Sequence, residues 1–187
     1  MEFNVIASGS KGNANIVRTR TTNILIDCGI TGKYLRDSLA KMDMDISDLD
    51  AVLVTHSHSD HIRGLKAVAK VPLYASFEVR GRMDEIPVEP YQPFMIGDIE
   101  VTPIKLSHDA PETVGYILKA DETLVSITDT GYISQRNREL IRNAEYYIFE
   151  ANHDLMRPET RRKISCWLIF PTNATIPNWL WIPLLPS

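Results

Sequence analysis

Three of the chain's five histidines stand with an aspartate in the run Thr55-His56-Ser57-His58-Ser59-Asp60-His61. Neutral imidazole is the commonest nitrogen ligand of zinc, and a carboxylate adds an anionic oxygen, so these residue types can serve two adjacent divalent ions. On an extended loop, residues two apart project the same way. His56 and His58 would then grip one ion while Asp60 and His61 turn toward a second. The bland alternative, a solvated turn that happens to be rich in histidine, gives no reason for three imidazoles and a carboxylate within six residues. Two such cations lower the pKa of a bridging water toward neutrality and polarise a phosphoryl or carbonyl oxygen, which makes water the nucleophile. Ser57 and Ser59 read as small loop residues, since that chemistry needs no activated serine.

The elements around the cluster explain how it could be positioned. Ala51-Val52-Leu53-Val54-Thr55 is a continuous apolar run of strand length, as in a buried central strand, and it ends at His56. Other acidic and histidine residues also fall at strand ends: Asp27 after Ile24-Leu25-Ile26, His108 after Ile99 to Lys105, Asp129 after Thr123 to Thr128, and His153 after Tyr146 to Phe149. Strand ends on one side of a sheet converge. Alternation at Phe3, Val5 and Ala7, followed by Ile16-Val17, predicts an antiparallel start. Helices are expected from Gly29-Ile30-Thr31-Gly32 through about Lys41 and from Gly64 to Lys70. A third should be capped by Ser134 and run to about Asn143, with Ile133, Leu140 and Ile141 on its apolar side. Leu73 to Ala75 reads as a strand, and Val114 to Leu118 pairs with Thr123 to Thr128 as a hairpin. The mixture predicts an α/β or α+β sandwich.

At 187 residues the chain is one domain, or one domain plus an appendage, and a hydrophobic fraction of 44% with 24% charged residues provides for a sizeable core. A formal net charge of -4 excludes a global affinity for nucleic acid, so any basic groove must be local. Cys28 and Cys166 form no paired motif, which argues against a zinc ribbon or a disulfide framework and for a reduced, cytoplasmic compartment. Met1 to Ala7 lacks the basic and apolar regions of a secretory signal. Charge disappears after Lys163: Ile164 to Ser187 holds no Asp, Glu, Lys or Arg, all three tryptophans, and prolines at 171, 177, 183 and 186. Prolines at that spacing break any helix, and a membrane-spanning segment is not expected.

The motifs resemble those of the metallo-β-lactamase-fold hydrolases over roughly residues 1–154. The resemblance implies an αββα sandwich with two divalent ions, Zn²⁺ or Mn²⁺. His56, His58 and His108 would hold the first, Asp60 and His61 the second, and Asp129 would bridge them. Asp27 would orient the histidine loop. Ala7-Ser8-Gly9-Ser10-Lys11-Gly12-Asn13-Ala14, Ser107-His108-Asp109-Ala110 and Glu150-Ala151-Asn152-His153-Asp154 are similar to the small bacterial branch associated with exonuclease activity on DNA. A phosphodiester substrate and catalytic roles for Asp60, Asp129 and His153 follow from that resemblance. His153 would bind a substrate phosphate, protonate a leaving group, or be an ordinary strand-end residue.

The turn from Ser8 to Asn13 lacks the Gly-Lys-Ser/Thr ending of a nucleotide cradle and reads as a tight turn beside the metal cleft. Lys11, Arg63 and Lys66 could meet a nucleic-acid backbone, or simply be solvated. Tyr91 and Phe94 could stack a base or pack in the core. The chain departs from the family after His153, where no further histidine supplies the final metal ligand. The expectation is a weakened second site and a truncated or frame-shifted segment over 164–187, appended to a hydrolase domain over 1–163. Self-association through the incomplete sheet edge would follow. Alternative readings are hydrolysis of a small ester, thioester or cyclic phosphodiester, and an impaired metal-binding remnant.

Overall fold

The computed structural model describes residues 1–81, 84–153 and 164–168, with side chains described through residue 149. Six strands form the first sheet in sequential order: β1 (Glu2–Ala7), β2 (Ala14–Arg18), β3 (Asn23–Ile26), β4 (Ala51–Val54), β5 (Leu73–Ala75) and β6 (Ile86–Pro87). The first three pair antiparallel and the rest are parallel, with Ile26 opposite Leu53 and Val54 opposite Ala75. The second sheet orders β7 (Phe94–Ile96), β8 (Ile99–Lys105), β9 (Val114–Lys119), β10 (Thr123–Ile127), β11 (Tyr146–His153) and β12 (Ile164–Leu168). Its one parallel pair is β10 with β11, joined across helix α3 (Gln135–Ile141) as a parallel connection requires.

Period-two alternation divides the core into three layers. Ile24 and Ile26 of β3 and Ala51 and Leu53 of β4 face the second sheet, meeting Ile99, Val101, Tyr116 and Leu124. The intervening Leu25, Val52 and Val54 turn outward onto Leu35 and Leu39 of helix α1 (Gly32–Ala40). On the far side, Val125 and Ile127 of β10 pack with Ile141 and Phe149. β3 and β4 are thus covered on both faces, which explains their uninterrupted apolar sequence. The result is the expected αββα arrangement.

Several local expectations hold and several shift. Thr31 caps α1 by accepting from the Tyr34 backbone N–H at 3.2 Å, so the helix starts at Gly32, beyond the Gly29-Ile30-Thr31 lead-in. Ser134 caps α3 as expected, and Ile141 is buried with Ile133 packed partly buried against the same cluster, but Leu140 is 49% exposed. Gly64 to Lys70 forms only a short 3-10 turn over Leu65–Val68. The cause is packing: a Cβ on Gly64 would lie 2.0 Å from the Ile30 carbonyl oxygen, so the backbone there is pressed against the segment after β3. Ile164–Leu168, at the head of the charge-free segment, pairs antiparallel with β11 as β12; residues 169–187 lie outside the described residues. No helix among the described residues is long and apolar enough to cross a membrane.

Candidate metal centre

The site forms where β3, β4, β8 and β10 end. β3 and β4 run parallel in register, so Asp27 and Thr55 emerge side by side, and the Asp27 N–H donates to the Leu53 carbonyl at 2.8 Å. Asp27 and Asp129, which follow β3 and β10, both adopt the left-handed backbone region with φ of 60° and 49°. Aspartate tolerates that region better than most residues, and strained conformations of this kind concentrate at functional sites. Across the sheets, the Val114 N–H donates to the Thr55 carbonyl at 2.9 Å, and the buried Tyr116 hydroxyl donates to the Val54 carbonyl at 2.6 Å. These bonds fix the end of β4 to the second sheet immediately before the first histidine.

His58 retains an extended backbone, and Ser59–Ile62 then closes into one helical turn, α2. The run is extended at His58, as expected, and the turn expected to carry Asp60 and His61 toward a second ion takes the form of this helical turn. This turn lies directly against Gly29, where a Cβ would sit 1.5 Å from the Asp60 carbonyl oxygen. Only glycine fits. The Asn13 N–H also donates to that carbonyl at 2.7 Å, tying the turn to the loop after β1.

Two convergences result. His56 Nε2 and His108 Nε2 each lie 3.1 Å from His58 Nδ1, so three imidazole nitrogens point at one small volume. His61 Nε2 lies 2.9 Å from Asp129 Oδ2, while His56 Nε2 lies 3.9 Å from the same oxygen. His56, His58 and His108 form one potential ligand group, and His56, His61 and Asp129 form a second. Asp60 stands beside the second, with Oδ2 3.8 Å from His61 Nε2. His108 is carried by a loop bound to the Asp129 loop, since the Gly131 N–H donates to the Ser107 carbonyl at 3.0 Å.

A further layer of bonds selects which nitrogen each ring presents. The buried carboxylate of Asp27 accepts from the Thr55 N–H at 2.9 Å and from His61 Nδ1 at 2.7 Å, leaving His61 Nε2 facing Asp129. The Thr55 hydroxyl donates to Asp27 and lies 3.0 Å from His56 Nδ1, leaving His56 Nε2 for the cluster. Polar groups behind metal-binding histidines fix ring tautomer and orientation in this way. Burial favours the neutral form of His61, but the carboxylates of Asp27 and Asp129 overcome it and hold its pKa up at about 10. His56, buried beside charged His61, is pushed down to about 4. Burial likewise lowers His108, despite the carboxylates of Asp109 and Asp129. Burial raises Asp129, but the bond from His61 wins and its pKa is lowered.

The donor set suits a divalent cation. Three imidazole nitrogens converge on one point, with His58 Nδ1 3.1 Å from both His56 Nε2 and His108 Nε2, and the lowered pKa of His56 keeps its ring neutral, the form that binds a metal. A tetrahedral ion with Zn–N distances of about 2.0–2.1 Å needs nitrogens spaced roughly this way.

Sequence reasoning singled out neither Thr55 nor Asp109. Thr55 sits inside the motif, but its hydroxyl is shared by two histidines and an aspartate only because β3 and β4 are in register. The Asp109 carboxylate is solvent-exposed and lies 3.0 Å from His108 Nε2 and 3.6 Å from His58 Nε2. Asn13, quoted only within a loop phrase, is buried with Nδ2 2.9 Å from His61 Nε2. Cys28 is buried, and its thiol is pushed up to about 12 by that burial and by Asp27, which leaves it unreactive. Arg63 donates to the carbonyls of Gly29, at 2.7 Å, and Lys11. Lys66 is exposed. Tyr91 lies under the Arg136 guanidinium, 3.5 Å from its ring centroid, and Phe94 stacks on Tyr74 at 5.1 Å. Both aromatic rings are thus used within the protein. His153 pairs through its backbone with Ile164, and its side chain lies outside the described residues.

Comparison with known proteins gives a consistent pattern. Residues 22–165 match the Beta-lactamase superfamily domain. The chain is 37% identical over 169 residues to exodeoxyribonuclease YycJ of Bacillus anthracis, covering 83% of this chain and 64% of that protein. It is 35% identical over 170 residues to exodeoxyribonuclease WalJ of Streptococcus pneumoniae, covering 82% and 63%. It therefore spans less than two thirds of the length of these relatives. Among solved structures, the metallo-beta-lactamase fold protein YhfI of Bacillus subtilis superimposes with a TM-score of 0.68 at 21% identity, covering 81% of this chain and 70% of that one.

Proposed function

Because this chain belongs to the beta-lactamase superfamily, we propose that it is a metal-dependent hydrolase that cleaves the phosphodiester bonds of DNA in the manner of an exonuclease. The observation that carries this reading is the convergence of His56 Nε2, His58 Nδ1 and His108 Nε2 beside the His61–Asp129 pair. In this reading the three histidines hold one cation, Zn²⁺ or Mn²⁺. His61 and Asp60 hold a second, with Asp129 shared between them. Cations so held supply Lewis-acid polarisation of a phosphoryl oxygen and an acidified water.

The chain's own residues do the rest. Asp27 and Thr55 keep the rings of His61 and His56 turned so that each offers Nε2. Asp129, with one oxygen 2.9 Å from His61 and 3.9 Å from His56, spans the two groups and sets their separation. The carboxylates of Asp60 and Asp129 offset the positive charge, so an anionic substrate can leave as well as enter. His153, at the end of β11, is assigned to a substrate phosphate or to the proton taken up by the leaving group. The names of the two curated relatives support DNA as the substrate. In this reading the hydrolase unit spans residues 1–163, and the segment 164–187 is joined to it at its head, where Ile164–Leu168 pairs with β11.

The test is cleavage of 5′- and 3′-labelled single- and double-stranded DNA with Mn²⁺ or Zn²⁺. Stepwise release of labelled product from one end is expected, with His58→Ala and Asp60→Ala falling to the metal-free background. Undiminished release by both variants would overturn the assignment.

A further inference from the structure

Beside the metal centre lies a cavity of about 510 Å³ bounded by Ser8, Lys11 and Gly12 of the turn after β1, by Thr31 and Tyr34 at the start of α1, and by Arg63 after α2. That volume suits a small ligand or one unit of a larger one. Its lining includes two cations and no carboxylate, in a chain whose net charge is -4. Arg63 is fixed across the cavity by donating to the Gly29 and Lys11 carbonyls, so its position is set by neutral acceptors and its charge is retained. Among the described residues neither Lys11 nor Arg63 forms an ion pair. Tyr34 is 52% exposed, and its ring has no aromatic partner among the described residues.

A paired cationic wall and an unstacked aromatic ring are the two parts that bind single-stranded nucleic acid, one for phosphate and one for the face of a base. Two lining residues adjoin the ligand cluster along the chain. Gly12 precedes Asn13, whose amide lies 2.9 Å from His61 Nε2, and Arg63 follows His61 by two residues. A strand entering the metal centre along this side passes over both.

We propose that this cavity is a nucleotide subsite, in which Lys11 and Arg63 receive a phosphate of the substrate strand and Tyr34 stacks on the adjoining base. The proposal rests on the nucleic-acid reading above and extends it to recognition away from the scissile bond.

Binding is measured on the full chain in EDTA, by fluorescence anisotropy of a labelled oligothymidylate, for the wild type, Tyr34→Ala, Tyr34→Phe and Lys11→Ala. Lys11 is exposed and Tyr34 mostly so; thermal midpoints are recorded to confirm that each variant is folded. Loss of one stacking contact predicts roughly five- to 150-fold weaker binding for Tyr34→Ala, with Tyr34→Phe near wild type. Lys11→Ala should reduce the slope of log affinity against log salt by about 0.7 for each phosphate contact removed. Deoxythymidine 5′-monophosphate should displace the labelled strand at lower concentration than inorganic phosphate.

Equal displacement by the two competitors would reduce the cavity to an anion site and overturn the stacking assignment. Wild-type affinity in both Tyr34→Ala and Lys11→Ala, or no strand binding by the wild type, would overturn the subsite altogether. Cleavage of labelled DNA by the metal-loaded wild type is scored separately. Its absence would count against the hydrolase reading, while unchanged strand affinity in active variants would count against the subsite alone.

Discussion

Asp27 and His61 are joined by a fully buried bond of 2.7 Å, and the opposite nitrogen of the same ring faces Asp129 at 2.9 Å. The ring is therefore aimed from behind. Asp27→Asn keeps the volume but removes the anion that orders Nδ1. Loss of such a partner typically lowers metal affinity by about 10- to 100-fold. The loss should fall on the ion held by His61, with the trio of His56, His58 and His108 changing less, as measured by competition with a chromophoric chelator. Unchanged affinity for both ions would show that Asp27 does not orient the ring.

Thr55→Val tests the hydroxyl shared by Asp27 and His56. The isosteric change removes one of three donors from Asp27 and strands His56 Nδ1, a buried polar group whose loss of a partner costs about 1–3 kcal/mol. A fall of several degrees in the thermal midpoint of the metal-free protein is expected, with recovery in Thr55→Ser. A midpoint equal to wild type would mean the hydroxyl contributes nothing.

The two sites should differ in strength, because the first cation would have three histidines of its own, whereas the second would have only His61 and Asp60, with Asp129 shared. Metal analysis after dialysis should find one retained ion per chain, with a second appearing only in excess metal. Two tightly held ions would contradict this.

Metal uptake at the second group should release a proton. With its pKa held at about 10, His61 is charged at neutral pH and must lose a proton before Nε2 can bind a cation. Affinity there should rise about tenfold per pH unit up to that value. Calorimetry in two buffers of different ionisation enthalpy should show about one proton released for the weaker ion, and none contributed by His56, whose pKa is about 4. The raised pKa also stabilises the metal-free fold. That contribution is complete below the ordinary value of 6.5 and is lost as pH rises through about 10. A metal-free protein whose midpoint rose across that window would reverse the sign.

Gly29→Ala tests the seat of the histidine turn. A Cβ there meets the Asp60 carbonyl oxygen at 1.5 Å, and backbone cannot yield as a flexible side chain can. The variant should be recovered in poor yield or with a midpoint many degrees lower. Wild-type stability would mean that the turn and Gly29 can separate without cost.

What the sequence made legible was whatever depends on local pattern. β4 reads as a buried strand because both of its faces are covered, and Ser134 reads as a cap because its neighbours are helical. The histidine run announces metal chemistry through residue types alone, and strand-end placement correctly brought Asp27, His108 and Asp129 to it. Illegible were features created by register and close packing. No periodicity reveals that Thr55 would stand beside Asp27, that Asn13 would reach His61 from another loop, or that α2 would wind after His58. Leu140 was misplaced because a short helix presents few apolar positions, and one residue of phase decides which of them is buried. β6, of two residues, is too short to carry an alternating signal, and β7, Phe94–Ile96, directly follows the proline-rich stretch from Pro90 to Pro93, which reads as loop.

Zinc-edge X-ray absorption on the chain loaded with one equivalent of Zn²⁺ tests the central assignment most directly. The arrangement of His56, His58 and His108 predicts three imidazole scatterers at about 2.0–2.1 Å, falling to two in His58→Ala. A spectrum without imidazole scattering, or one left unchanged by the loss of His58, would contradict it.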